Sequence, residues 1–515
     1  MVELTFLPGG SMTNLATLLT TSAEKYGSDP VIILDDLHMS YDQLNDLSAR
    51  GAALLKANGI RPGDRVALVL PNVPHMAVLY HAILRAGGIV VPLNPLLTPR
   101  ELTYHFQDAG VSFVLAWEDM AEASQKAAEE IDGLNVLPIS AQGTVGRLQA
   151  VDPDHEVVER ADSDTAVLLY TSGTTGRPKG AELTHHNLLS NAEVAGEVFN
   201  LAHGDVMFGG LPLFHVFGQT VALNGVICAG ATVTLLPRFH PAEALEVLRR
   251  DRVTIFAGVP TMYVALLHQS GQDPQAVEGI DLRAGVSGGS SMPVEVLAKF
   301  EKVFGTTVFE GYGLSETSPV VCFNQPGNVR KPGSIGSEVR GAQLRVVDGQ
   351  DNEVPTGEVG ELVVAGQYVM KGYWHKPEAT EEAMRGGWFH TGDMARKDED
   401  GMFFIVDRKK DMILRGGYNV YPREVEEVIY QFPGVVEAAV VGVPDEKHGE
   451  EVGAVVVFES GVLESKGKEA LTRELDAFVQ ERVAKYKYPR IYRVTDELPK
   501  GPTGKILKRE LTLDA

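Results

Sequence analysis

From about Asn14 to Gly258 the chain alternates segments of helical period with short β-rich runs, and that rhythm leaves few folds open. Parallel strands joined by crossover helices produce it, because consecutive parallel strands need a connection of a dozen or more residues, usually helical. Tyr41 to Asn58 places Leu44, Leu47, Ala52 and Leu55 at helical spacing, Arg65 to Leu70 reads as a buried strand, and Val73 to Ala86 returns to helical period. Strand-like runs recur at Phe113 to Ala116, Val233 to Leu236 and Val253 to Gly258. Between Gly333 and Asp407 the rhythm shifts to short strands separated by turn pairs such as Asp348-Gly349 and Asp400-Gly401, which predicts hairpins or a small β-barrel. Beyond it, Arg423 to Tyr430 and Lys468 to Val483 carry helical period, while Val435 to Val443 and Val452 to Phe458 read as extended. The expectation is an α/β fold: a large N-terminal domain of parallel-type sheets flanked by helices, with a small β-barrel, then a small α+β lobe. The charged stretch Asp407-Arg408-Lys409-Lys410-Asp411 marks the expected boundary, giving domains of 1–409 and 410–515, although by composition it equally suits a solvated turn.

A length of 515 residues with 44% hydrophobic content predicts at least two domains, each with a core of its own. The 46 Lys and Arg against 69 Asp and Glu leave a formal charge of -23, which repels nucleic-acid phosphates, so no nucleic-acid partner is expected. An anionic cofactor must then meet a local concentration of backbone N–H groups, lysines and metal. The only cysteines, Cys228 and Cys322, lack metal-ligand spacing and make no disulfide framework, which fits a reducing cytoplasm and argues against zinc. No signal peptide is read at the start, and the apolar stretch Thr220 to Pro237, broken by Asn224, Gly225 and Gly230, reads as a buried helix running into a strand rather than a membrane span.

The densest chemical signal follows the apolar run Ala166 to Leu169. Thr171-Ser172-Gly173-Thr174-Thr175-Gly176 is an unbroken run of small residues with uncovered N–H groups and hydroxyls, and Lys179 adds a charge, a composition suited to wrapping a polyphosphate. Arg177 and Pro178 stand between Gly176 and Lys179, so this is not a Walker loop. Read alone, the run also suits a flexible surface turn.

The segment resembles the phosphate-binding signature of the adenylate-forming superfamily, which includes acyl-CoA synthetases, peptide adenylation domains and firefly-type luciferases. Further signatures follow in the family's order: Ser287-Gly288-Gly289-Ser290, Glu310-Gly311-Tyr312-Gly313-Leu314-Ser315-Glu316-Thr317, Trp388-Phe389-His390-Thr391-Gly392-Asp393, the Asp407–Asp411 stretch, Gly416-Gly417-Tyr418, and Pro499-Lys500-Gly501-Pro502-Thr503-Gly504-Lys505. The resemblance implies ATP, Mg²⁺ and coenzyme A as cofactors. It gives Tyr312 the adenine, between glycines that admit a flat ligand. Glu316 would ligate Mg²⁺ and Thr317 meet a phosphate oxygen, Asp393 would accept from the ribose diol, and Arg408 would contact ribose and phosphates. Gly288, Gly289, Ser290, Glu310, Gly311 and Gly313 join the nucleotide-binding set. Lys505 becomes a mobile cation bridging the acyl oxygen and α-phosphate, and Lys410 the hinge on which the C-terminal lobe swings between an adenylating and a thioester-forming pose. Gly417 would lie where pantetheine passes.

Leu211 to Gly218 is similar to the family segment whose His215 gates the acyl site, and Val221 to Ala231 would line it. Phe217, Val221 and Val226, with no acidic partner for an amine, point to a fatty or aryl acid rather than an amino acid. The pattern is most similar to bacterial medium- or long-chain fatty acyl-CoA synthetases. An aryl-CoA ligase, an acyl-AMP ligase loading a carrier protein, and a nucleotide-binding regulatory homologue without catalysis remain alternatives. Peripheral membrane contact and a homodimer are compatible with the sequence, which fixes neither.

Overall fold

The computed structural model describes residues 13–171 and 177–513. Helix starts follow from local chemistry. Ser40 and Gln43 close a reciprocal capping box ahead of helix Tyr41–Ala57, Thr98 and Glu101 do so for Pro99–Ala109, and Thr184 and Asn187 for His185–Val198. Gly110 ends the second of these at φ +62°, in the left-handed region.

Two large sheets form the N-terminal part. The seven-stranded one runs in space Gly372–Tyr373, Lys179–Thr184, Thr165–Thr171, Ile89–Pro92, Arg65–Val69, Val111–Trp117, Asn135–Ile139. The nine-stranded one runs Ser337–Glu338, Val320–Phe323, Val308–Gly313, Ala284–Ser287, Ile255–Gly258, Val206–Gly209, Thr232–Leu235, Pro30–Leu34, Leu37–Ser40. Their centres are parallel, as the alternating rhythm predicts; antiparallel pairs close both edges of the nine-stranded sheet and one edge of the seven-stranded sheet, whose other edge strand, Asn135–Ile139, is parallel. Helix Pro74–Arg85 is buried along its whole length, as befits an element enclosed by the core rather than lying on it. Asn72, just ahead of it and just past strand Arg65–Val69, donates to the carbonyls of Gly209 (3.0 Å) and Leu211 (2.7 Å), tying a strand end of one sheet to a strand end of the other.

The Thr220–Pro237 stretch is buried helix running into strand, as read, but its first part, Gly218–Asn224, is π-helical. Among the described residues no helix is long and apolar enough to cross a membrane. The predicted hairpin region is a four-stranded antiparallel sheet, Ala342–Val347, Gly360–Gly366, Phe389–Lys397, Phe403–Arg408, and an isolated bridge from Phe403 to Gly336 curls its last strand back towards the chain that precedes it. Within the same region Gly372–Tyr373 leaves to pair with Lys179–Thr184 of the seven-stranded sheet.

That four-stranded sheet ends at Arg408, and the next begins with Ile413–Arg415. It carries Tyr418–Val420, Gly449–Phe458, Val435–Asp445 and Ile491–Val494, covered by helices Pro422–Tyr430 and Lys468–Gln480.

Candidate active site

Four loops issue from the carboxyl ends of neighbouring parallel strands in the nine-stranded sheet: Leu211–His215 beyond Val206–Gly209, Val259–Thr261 after Ile255–Gly258, Gly288–Ser290 after Ala284–Ser287, and the turn after Val308–Gly313. Ligands of open α/β sheets bind at this edge, because the loops there share one rim while the strands behind them stay rigid.

At that rim the sequence candidates separate into two clusters. The first is Tyr312, Asp393 and Arg408. Tyr312 donates to Asp393 Oδ2 at 2.6 Å, and Arg408 Nε stands 3.4 Å from Asp393 Oδ1, its residue directly opposite Asp393 across the antiparallel pair. Burial, with the Asp393 charge next, holds the Tyr312 hydroxyl far above its usual range, so it stays a donor. Gly311 packs against Phe323, where a Cβ would come within 2.6 Å of the ring, and a Cβ on Gly313 would collide with the Pro319 carbonyl. Both glycines are therefore required by packing as well as by any ligand.

The second cluster is Thr171, Lys179, Glu316 and Tyr373. Glu316, buried in the turn Ser315–Thr317, accepts on Oε1 from Thr171 (3.2 Å) and Tyr373 (2.9 Å), and the Lys179 ammonium lies 5.0 Å from the centre of the Tyr373 ring. These are hard oxygen donors, one of them a carboxylate, beside a lysine. The set fits Mg²⁺, which takes one or two carboxylates and completes its shell with water and substrate phosphates. Ser172, Gly173, Thr174, Thr175 and Gly176 of the expected phosphate loop lie outside the described residues.

Lys505 joins the first cluster from the C-terminal part. Its loop is a tight reversal in which Lys500 bridges Ile506, Gly501 N–H donates to the Lys505 carbonyl at 2.8 Å, and Gly504 takes φ +78°. Thr261 of the rim donates to the Gly504 carbonyl at 2.9 Å, docking the loop. Burial first, then the neighbouring Arg408 charge, pulls the Lys505 ammonium down to about 8, against the opposing pull of Asp393 and Asp411. His215 lies within reach of the Lys505 charge. Burial, with that charge second, lowers its imidazole to about 4, so it is neutral near pH 7. Its Nδ1 accepts from Phe217 N–H at 3.3 Å, which fixes the tautomer with the proton on Nε2.

Gly288 is buried against Phe217, whose ring would lie 3.1 Å from a Cβ at that position. Gly289 takes φ +78°, and Ser290 is exposed. Lys410 is exposed in the turn joining the last two sheets, and Gly417 sits at φ +85° in an exposed hairpin with nothing within 4 Å of its missing Cβ.

Two roles change. Thr317 is fully buried. Its hydroxyl accepts from Leu314 N–H (2.9 Å) and donates into the turn, to Pro319 O (2.9 Å) or Leu314 O (3.1 Å), so it closes the backbone instead of reaching a phosphate. Half-buried Ser315 of the same turn has a hydroxyl that makes no hydrogen bond among the described residues. Glu310 is likewise engaged by backbone groups. Its carboxylate accepts from Met292 N–H (3.3 Å) and Gly333 N–H (3.2 Å), holding the chain just after Ser290, and burial raises it to about 7. Sequence reasoning missed Tyr373 and Thr261. Ser315 was legible from its neighbours, a hydroxyl beside the acid, whereas Tyr373 reaches Glu316 only through a strand pairing nearly two hundred residues long in sequence separation.

Comparison with known proteins agrees with this geometry. Residues 19–374 match the AMP-binding enzyme family, and residues 424–505 match the AMP-binding enzyme C-terminal domain. The chain is similar to the long-chain-fatty-acid–CoA ligase of Bacillus subtilis, 38% identical over 540 residues covering 96% of this chain and 94% of that one. It is as similar to the feruloyl-CoA synthase of Amycolatopsis sp, 38% identical over 474 residues covering 92% and 93%. Its structure superposes on ATP-bound MatB from Rhodopseudomonas palustris with a TM-score of 0.89 at 33% identity, covering 96% and 97% of the two chains. With both parts of the molecule matched and relatives aligned along nearly its whole length, the chain belongs to the AMP-binding enzymes of the adenylate-forming superfamily.

Proposed function

We propose that this enzyme activates a fatty acid with ATP as its acyl-adenylate, releasing pyrophosphate, and then transfers the acyl group to coenzyme A. The observation that carries the reading is the meeting of Lys505, from the C-terminal part, with Asp393, Arg408 and His215 at the rim of the nine-stranded sheet. Tyr312 and Asp393 hold adenosine by ring contact and by the ribose hydroxyls. Mg²⁺, held by Glu316, would neutralise phosphate charge as pyrophosphate leaves. Lys505 places a preorganised positive charge between the attacking carboxylate and the α-phosphate, where charge builds in the transition state. Neutral His215 orders the acid by hydrogen bonding without adding a second cation.

In the second half-reaction the C-terminal part, pivoting at Lys410 between 1–409 and 410–515, withdraws Lys505 and brings Gly417 to the thiol's path. Phe217, Val221 and Val226 are all buried and apolar, which supports an acid with a hydrocarbon body, in line with the fatty-acid ligases among the relatives. An aryl acid is the second reading, favoured by the equal identity to a feruloyl-CoA synthase. A soluble cytoplasmic enzyme acting as monomer or homodimer, with at most peripheral membrane contact, is part of the proposal.

Incubation with ATP, Mg²⁺ and a pool of fatty, aryl and amino acids, with and without coenzyme A, tests it by mass spectrometry. Fatty acyl-CoA in the complete mixture is expected. Acyl-adenylate without thioester would replace the second step by release or carrier loading, and aryl-CoA alone would select the second reading.

A further inference from the structure

Helix Pro422–Tyr430 faces two ways. Val425, Ile429 and Tyr430 are buried in the C-terminal part's own core, whereas Arg423 and Glu427, four residues apart and so on one face, look towards the N-terminal part. Glu427 Oε2 accepts from Val294 N–H at 3.3 Å. Val294 opens helix Val294–Phe304, whose N-cap position is Pro293 and which has no side-chain cap of its own, so a residue of the other part supplies it. Arg423 lies 3.7 Å from Glu427, and its guanidinium donates to Gly333 O at 3.4 Å while Gly333 N–H donates to Glu310. Glu310 in turn holds Met292, two residues past the Gly288–Ser290 loop. A continuous polar chain thus runs from the rim of the nucleotide site to the C-terminal helix. The buried carboxylate of Glu310 and the half-buried one of Glu427 share the charge of Arg423.

We propose that Arg423 and Glu427 form a latch with Glu310, Gly333 and Val294 that holds the C-terminal part in the placement presenting Lys505, and that the latch serves adenylate formation alone. The inference rests on the function proposed above. Glu427 with Val294 and Arg423 with Gly333 join the two parts, so a placement of the C-terminal part that carries the helix away from Val294 and Gly333 breaks both together. Arg423 and Glu427 are positioning residues: they act through Lys505 and touch no substrate. Because the Arg423 guanidinium faces Glu427 and the buried Glu310 together and offsets the repulsion between the two carboxylates, removing one end weakens the other.

The test measures the half-reactions separately in the full-length chain. Glu427→Ala is expected to slow acid-dependent pyrophosphate exchange about tenfold or more, a loss of one charge-assisted contact, while thioester formation from supplied acyl-adenylate and coenzyme A stays within about twofold of wild type. Glu427→Gln keeps an acceptor for Val294 N–H and is expected to recover most of the exchange. Arg423→Met, which keeps the aliphatic stem, is expected to reproduce the Glu427→Ala pattern. Parallel loss of both half-reactions, or exchange unchanged in Glu427→Ala and Arg423→Met, would overturn the latch while leaving the function standing. Wild-type protein with no exchange on any acid would overturn the function and the latch with it.

Discussion

Burial and the Arg408 charge pull the Lys505 ammonium down to about 8, which puts its titration inside the working range of an enzyme. The protonated form is the one that can bridge carboxylate and phosphate, so the charge is complete at pH 6 and drains away as pH rises through 8. The expected profile of kcat/KM for ATP in the exchange reaction falls on the alkaline side near that value. Lys505→Arg, always charged, should remove the limb even at lower activity. Lys505→Ala should slow adenylate formation on the order of 10² or more, the usual cost of losing one preorganised donor, and near-normal exchange would refute its role. Tyr373 acts one step further out, holding Glu316 by a 2.9 Å hydrogen bond. Tyr373→Phe should raise the Mg²⁺ concentration needed for half-maximal exchange about fivefold, the worth of about 1 kcal/mol. Calorimetry should show weaker Mg²⁺·ATP binding with acid affinity unchanged.

At the scale of elements, the strand Val308–Gly313 and its turn illustrate how tightly fold and site share residues. Gly313 has no room for a Cβ against the Pro319 carbonyl, and Thr317 spends its hydroxyl closing the turn that aims Glu316. Gly313→Ala should therefore destabilise the chain by about 1–3 kcal/mol through overpacking, seen as an earlier denaturant midpoint, and it should also impair exchange in whatever protein remains folded. Unchanged stability would mean that the turn yields more easily than the contact implies. The parallel strands Arg65–Val69, Val111–Trp117, Thr232–Leu235 and Ile255–Gly258 were legible in sequence as short apolar runs, whereas Ala284–Ser287 and Val308–Gly313, rich in glycine, were not. The π-helical form of Gly218–Asn224 was not, because its periodicity over seven residues is indistinguishable from that of an α-helix.

At the scale of the whole molecule, the two parts meet at Lys505, at Thr261 with Gly504, and through helix Pro422–Tyr430. The connecting turn at Lys409–Asp411 is short, and Lys409 and Lys410 are exposed there. Lys410→Pro fixes φ at that point. Exchange should persist, because this placement already presents Lys505, while thioester formation from supplied adenylate should fall at least tenfold, the cost of a restricted domain rotation. Equal loss of both half-reactions would locate the pivot elsewhere.

The sequence by itself determined the alternating α/β plan, the change to antiparallel strands after Gly333 and the residues that could carry adenylate chemistry. Period, turn pairs and runs of small residues are local properties, written within a few residues of one another. Only the tertiary structure decided which hydroxyl of the Ser315–Thr317 turn stays available and that Glu310 braces the backbone at Met292 and Gly333. It alone showed that Tyr373 and Arg423 matter, because each depends on a partner far away in sequence, brought within hydrogen-bond range by strand pairing or by the docking of one part on the other. Lys505 shows both levels at once: its place in a Gly-rich loop is sequence, and its lowered pKa is a consequence of where that loop comes to rest.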